Sequence, residues 1–226
     1  MKLTTDAIAR GALRVLNDVG LDGLTMRVLA KELGVQAPTL YWHVKNKQEL
    51  LDAMAGLLTT ETVEGLEAPR RDETWQEWLI ALAGRTRQTM LRYRDGARVA
   101  AGSNTPNPAT ARTVELVLRT LQDAGFEVAE AARSFPVILH YTVGFTIEEQ
   151  ARTGVAYERN PYADGPRVDA ERYPLTAGVA EQLFSSDNFD HGLRVILAGM
   201  EAVALGTPAA SSATSGRIRR PRSRSD

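Results

Sequence analysis

The run Thr25–Lys47, TMRVLAKELGVQAPTLYWHVKNK, constrains this chain more than any other. Thr25 can cap a helix that runs to Leu33, and Gly34 stops it. Pro38 suits the first turn of a second, short helix, where a missing N–H costs nothing. Asn46-Lys-Gln-Glu49 is a capping-box pattern that opens a third. Ala30 is small enough for two helices to cross closely. In the short helix Leu40 and Val44 are spaced to face a core. That leaves Pro38, Thr39, Tyr41, Trp42 and His43 pointing outward, flanked by Arg27, Lys45 and Lys47. A compact outward cluster of Tyr, Trp and His beside cations is a binding surface. The matching geometry is helix-turn-helix, whose second helix enters the DNA major groove.

Helical spacing continues on both sides, and no segment reads as a strand, so the expected fold class is all-α. Ile8, Ala12, Val15, Leu16 and Val19 share one face of a first helix, capped by Thr4 or Thr5 and stopped by Gly20. A fourth helix runs through Leu50, Leu51, Met54, Leu57 and Leu58 to about Glu64. The polar break Ala68–Asp72 marks a domain boundary. Thr74-Trp-Gln-Glu77 is a second capping box, opening a helix to about Tyr93. A short helix precedes the Ser103–Pro108 loop, and Asn107-Pro108 opens a helix that ends at Gly125. Val128–Thr153 is a long apolar helix with Pro136 inside it, so a kink or early break is expected there. Gly154–Tyr173 reads as a mobile loop, and Leu175–Phe184 and Phe189–Leu205 as the last two helices. The expected organisation is a DNA-binding head at 1–47, a connecting helix at 48–66, a larger helical domain at 67–206 and a tail at 207–226. The tail is too poor in apolar side chains to order.

The 226 residues contain no cysteine, which excludes disulfides and thiol metal sites and fits a reducing cytoplasm. The N-terminus lacks the apolar core of a signal peptide. No apolar stretch approaches the ~18 residues needed to span a bilayer. The net charge of −1 hides an uneven layout. Residues 1–50 carry seven Lys/Arg against five Asp/Glu, and residues 207–226 carry five Arg against one Asp, so the middle is acidic. A basic head suits a DNA contact confined to it.

The wording of residues 3–58, above all LTMRVLAKELGVQAPTLYWHVKNKQELLDA, is similar to the DNA-binding head of the TetR family. APTLYWHVKNKQELLDA resembles its tetracycline-repressor class in particular, and TWQEWL, YRDGARV and Gly125-Phe126 extend the likeness. Side-chain chemistry agrees with what the resemblance implies. Arg27 can fork onto guanine O6 and N7. Pro38, Thr39 and the Tyr41 ring can pack on thymine methyls, and Gln36 either reaches an adenine or serves the turn. Thr25, Trp42, His43 and Lys47 are placed for phosphate oxygens. The class has Gln where this chain has Ala37 and Thr where it has Met26, so the operator sequence should differ.

The resemblance implies that residues beyond the head dimerise and bind a small molecule. The helix Val128–Thr153 and the last helix would build a four-helix bundle with a second copy. One short recognition helix also makes too few contacts for useful specificity, and two copies on a palindrome overcome that. Chelated tetracycline does not fit the sequence. The metal-binding His of the class is replaced by Ala100, its drug contacts fall on Leu82, Thr86 and Val117, and only the carboxylate at Glu148 remains. Leu82, Thr86, Ala100, Asn104, Val117, Leu121, Phe135, His140, Val143 and Ile147 describe a mainly apolar cavity. The expected partners are therefore double-stranded operator DNA, a metal-free hydrophobic effector and a second copy, with no cofactor and no membrane. A DNA-binding activator or architectural protein without an effector is the alternative. With three His, no Cys, no Gly-rich phosphate loop and no nucleophile elbow, catalytic residues are not expected.

Overall fold

A computed structural model describes residues 3–103, 107–153, 168–183, 185–204 and 206. Among these every regular element is a helix: α1 (Thr5–Gly23), α2 (Met26–Glu32), α3 (Ala37–Tyr41), α4 (Lys47–Val63), α5 (Trp75–Leu91), α6 (Gly96–Ala101), α7 (Pro108–Asp123), α8 (Val128–Thr153), α9 (Pro174–Gly178), α10 (Ala180–Leu183) and α11 (Asn188–Ala204).

The helix starts follow the sequence caps. Thr4, Thr25, Asn46, Thr74 and Asn107 each accept a backbone N–H three residues on. Each such cap is worth about 1 kcal/mol. Thr74 and Glu77 form the complete reciprocal box. The box expected at Asn46 is half formed, because the Glu49 carboxylate accepts from the Lys45 amide at 2.7 Å instead of from Asn46. The helical stop at Gly20 is present: its φ of 70° breaks the α1 ladder, and the last turn is built again beyond it.

Two apolar cores divide the molecule. The first joins Ile8, Leu13 and Leu16 of α1 with Leu24, Leu29, Leu40 and Val44, and with Leu50, Met54 and Leu57 of α4. The second joins Val63 and Leu66 to Trp78, Leu79 and Leu82 of α5, Val117 and Leu121 of α7, Ile138 of α8, and Phe189, Leu193 and Leu197 of α11. Helix α4 thus belongs to both cores, its first half to the head and its end to the larger bundle. Burying each of these large side chains contributes roughly 1.5–3 kcal/mol.

Two expectations about the larger bundle change. Helix α8 does not stop at Pro136 but runs unbroken over 26 residues. Pro136 has no N–H for the Ala132 carbonyl, but Ala132 is exposed, so water can satisfy that group. Packing of α8 against α5, α6, α7 and α11 then holds the helix through the proline. The single helix expected at Leu175–Phe184 is instead α9 and α10, interrupted at Val179. Nothing in α9 is buried, so no core contact forces one continuous axis across Gly178. Most of the expected loop Gly154–Tyr173 and the tail at 207–226 lie outside the described residues.

A polar seam ties the two parts together away from α4. Asp95, at φ 58°, starts α6 and accepts the Leu21 amide at 2.9 Å. Arg94 donates its backbone N–H to Asn17 at 2.8 Å, and Arg98 pairs with both Asp22 and Asp95 at 3.3 Å. The Asp22 carboxyl is pulled below its ordinary value, first by the Arg98 hydrogen bond. Gln48 of α4 donates to the Gly102 carbonyl at 2.9 Å. Thus α6 rests on the end of α1, and α4 is not the sole rigid link from the head.

Candidate functional site

The outward face of α3 is built by what lies under it. Gly34, at φ 66°, reverses the chain after α2, and Val35 donates its N–H to the Ala30 carbonyl at 3.0 Å. Ala30 is buried, so α2 and α3 approach closely. Leu40 and Val44 then seat α3 on the head core at 0% and 1% exposure. The residues between them have nowhere to go but outward. Tyr41 is 48% exposed and Trp42 is 89% exposed. Pro38, Thr39, His43, Gln36, Arg27, Thr25 and Lys47 are exposed as well.

The structure distinguishes three members of this set. Ala37 is half-buried against the head core, so it presents only part of its methyl to a partner. Thr25 already accepts the Val28 N–H at 3.2 Å, which leaves its hydroxyl proton for a phosphate oxygen. Lys47 donates to the Leu21 carbonyl at 3.1 Å, which fixes its ammonium beside the end of α1. Met26 is buried under the first turn of α2. It therefore fills core where the class carries a hydroxyl.

Behind the head, α4, α5, α6, α7 and α8 surround a partly open cavity of about 580 Å³. That is ample for a ligand of drug size, since such sites run about 300–1,000 Å³. Leu82 and Thr86 line it from α5, Ala100 from α6, and Phe135, His140, Val143 and Ile147 from α8. Val117 and Leu121, also expected there, do not line it: both are fully buried in the second core. The cavity meets only the N-terminal half of α7, at Asn107, Thr110, Thr113 and Val114. Val117 and Leu121 lie one and two turns farther along the same face, where side chains of α5 and α8 close over it. Asn104 falls outside the described residues, and Glu148 points to solvent. The neighbouring carboxylate, Glu149, is bonded to Arg87, with Nε donating to Oε2 at 2.7 Å.

Sequence reasoning missed the contribution of α4, whose Ala55, Thr59, Thr62 and Val63 form one wall. Treating 48–66 as a connector hid it. The available signal was threonine recurring at helical spacing in apolar helices. A second, shallower groove of about 630 Å³ runs between α1, α4 and the start of α7. It lies open to solvent along Asp6, Glu49 and Asp52, so it offers little burial to a ligand.

Among the described residues no group of three or more His, Asp or Glu is placed to hold a metal ion. In the same residues no helix is long and apolar enough to cross a membrane.

This geometry has close counterparts. The "Tetracycline repressor protein class A from transposon 1721" of Escherichia coli is 40% identical over 202 residues, covering 88% of this chain and 91% of that protein. The crystal structure of a possible TetR family transcriptional regulator from Streptomyces coelicolor A3(2) superposes with a TM-score of 0.78 at 37% identity, covering 88% of this chain and 99% of that one. The structure of the Streptomyces coelicolor TetR family protein ActR in complex with actinorhodin gives 0.74 at 30% identity, covering 89% and 97%. Residues 8–54 match the model of bacterial regulatory proteins of the tetR family, and residues 68–204 match the tetracyclin repressor-like C-terminal domain. With an exposed short helix on the head, a cavity in the larger bundle and both family domains matched, this chain belongs to the TetR family of transcriptional regulators.

Proposed function

We propose that this chain is a ligand-responsive repressor that binds a palindromic operator as a homodimer in the cytoplasm. A small, mainly hydrophobic effector without chelated metal releases it. One observation carries the reading: the helix that walls the cavity at Thr59 and Thr62 also holds the head core at Leu50 and Met54. A ligand pressing on the end of α4 therefore moves the element on which α3 is seated. Helix α6 adds a second lever, since Ala100 lines the cavity while Arg98 is tied to α1.

In this reading residues 1–47 contact DNA, 48–66 transmit, 67–206 bind the effector and dimerise, and 207–226 form a basic tail. Base readout falls to Arg27, Gln36, Pro38, Thr39 and Tyr41, with Ala37 leaving one base unread. Thr25, Trp42, His43 and Lys47 hold phosphates. The exposed Val137 of α8 and Val195 and Val203 of α11 supply apolar surface for the partner helices. To move the operator-bound fraction from 99% to 1%, the effector must prefer the released state by ~5.5 kcal/mol.

Selection of bound DNA from a random pool should return a palindrome with half-sites about one helical turn apart. Arg27→Ala should then cost ~1–3 kcal/mol and relax one base position. Equal weakening on every sequence would reassign Arg27 to phosphate.

The effector differs from the ligand in the name of the class A relative. Ala100 presents a methyl group where the class places a metal-binding His, and methyl groups do not ligate Mg²⁺. Tetracycline with Mg²⁺ should therefore leave the melting temperature unchanged, and a strong upward shift would overturn the metal-free reading.

A further inference from the structure

The threonines of the cavity say more about the effector than its apolar walls do. Five of them, Thr59, Thr62, Thr86, Thr113 and Thr142, lie on four different helices that face the same space. Each donates its hydroxyl proton to the carbonyl four residues back on its own helix. The distances are 3.1 Å for Thr59, 2.9 Å for Thr62, and 2.8 Å for Thr86, Thr113 and Thr142. A hydroxyl has one proton and two lone pairs. With the proton committed, each of these groups can only accept. While a threonine stays bonded back to its own helix in this way, what it offers a ligand is a lone pair.

Charge points the same way. Among the described residues no Asp, Glu, Lys or Arg lines the cavity, so there a charged ligand would leave water without a counter-ion. Among the described residues Ser103, Asn107, Thr110 and His140 are the lining side chains that keep a proton to offer. Ser103, Asn107 and Thr110 belong to the end of α6 and the start of α7, and His140 belongs to α8. The Asn107 carbonyl oxygen is already taken by the Thr110 amide at 2.9 Å. The cavity is thus acceptor-rich along α4, α5, α7 and α8, and donor-bearing mainly at its α6–α7 end.

We infer that the effector is an uncharged, largely apolar molecule whose rim carries hydrogen-bond donors, hydroxyl or N–H, aimed at these threonine oxygens. The inference rests on the ligand-responsive reading above and narrows its ligand class. A metal-chelating keto-enolate, a carboxylate or an acceptor-only ketone would meet the wrong partners.

The test uses matched probes on the full-length protein. A hydroxyflavone, a hydroxyanthraquinone and estradiol, each beside its O-methyl ether, and anthracene-9-carboxylate are titrated by calorimetry or native mass spectrometry. Methylation of every hydroxyl keeps the ring system and the acceptor oxygens, removes the donors and adds methyl bulk, and the Thr86 variants separate the donor effect from the bulk. At least one phenol should bind at least tenfold more tightly than its ether, with no binding of the carboxylate. Thr86→Val should weaken the phenol roughly two- to tenfold and leave the ether unchanged, whereas Thr86→Ser should retain the preference. An ether bound as tightly as its phenol, or a preferred carboxylate, overturns the donor assignment and leaves ligand-responsive repression standing. Failure of every probe to bind overturns the inference too. The wider reading then falls only if a chemically diverse library also fails to release the protein from its operator.

Discussion

Leu40→Ala should abolish operator binding by loosening the head, although Leu40 itself never faces DNA. Leu40 is fully buried and anchors a helix of only five residues to the first core. Removing its side chain deletes transfer free energy and leaves a cavity that α3 is too short to collapse around. Such truncations cost about 2–5 kcal/mol. That is a large fraction of the ~5–15 kcal/mol that keeps a typical domain folded. Denaturant unfolding should show a lower midpoint, and gel-shift assays should show no specific complex. Trp42→Ala is the informative contrast. At 89% exposure its ring holds nothing together, so unfolding should change by no more than ~0.5 kcal/mol while DNA affinity falls on all sequences alike. If Trp42→Ala unfolds the head, or Leu40→Ala leaves binding intact, the assignment of inward and outward faces on α3 is wrong.

Breaking the Arg87–Glu149 pair should be the most damaging polar change in the larger bundle. Arg87 of α5 meets Glu149 of α8 through two guanidinium nitrogens, and each side chain is only 16% exposed. The guanidinium also lies 5.0 Å from the Phe189 ring centre and 5.9 Å from that of Phe145, so it stacks where α5, α8 and α11 converge. The Arg87 pKa is raised above its ordinary value, first by the hydrogen bond to Glu149. Removing one partner strands the other charge out of water, which in buried pairs costs about 3–5 kcal/mol. Glu149→Ala should therefore lower stability by an amount near the bottom of that range, given the residual exposure. Arg87→Met with Glu149→Leu should recover most of the loss, because no charge is then left unpaired. A double-mutant cycle by chemical denaturation measures the coupling directly. Single variants within ~0.5 kcal/mol of the parent would show that water reaches the pair freely.

Much of the head was legible because its signals are local. A cap at Thr25, a stop at Gly34 and a proline at position 38 act within one helical turn. The spacing of Leu40 and Val44 then decides which side chains are left outside. The same logic recovered the starts of α5 and α7 from Thr74 and Asn107. It also gave the bounds of α8, and at Pro136 contacts with four other helices outweigh one missing hydrogen bond, so the early break does not occur. It failed at Val179, where α9 buries nothing and so separates from α10.

The cavity was legible in part. Leu82, Thr86, Ala100, Phe135, His140, Val143 and Ile147 all meet at its walls. Val117 and Leu121 share the inward face of α7 with the lining residues, but helical period reports a face and not a depth along it. The wall supplied by α4 was invisible for a related reason. Its apolar residues serve two cores in succession, and no periodicity shows where one ends and the other begins.

By itself, then, the sequence determined most of the helices, the residues that cap them and the outward set on α3, because those depend on residues within about four positions of one another. Only the tertiary structure decided that α6 is tied to the end of α1 at Asp95, that α4 is both floor of the head and wall of the cavity, and that five threonine protons are already spent. Those facts arise where distant helices meet, and the geometry of that meeting is set by the packing of all the side chains together.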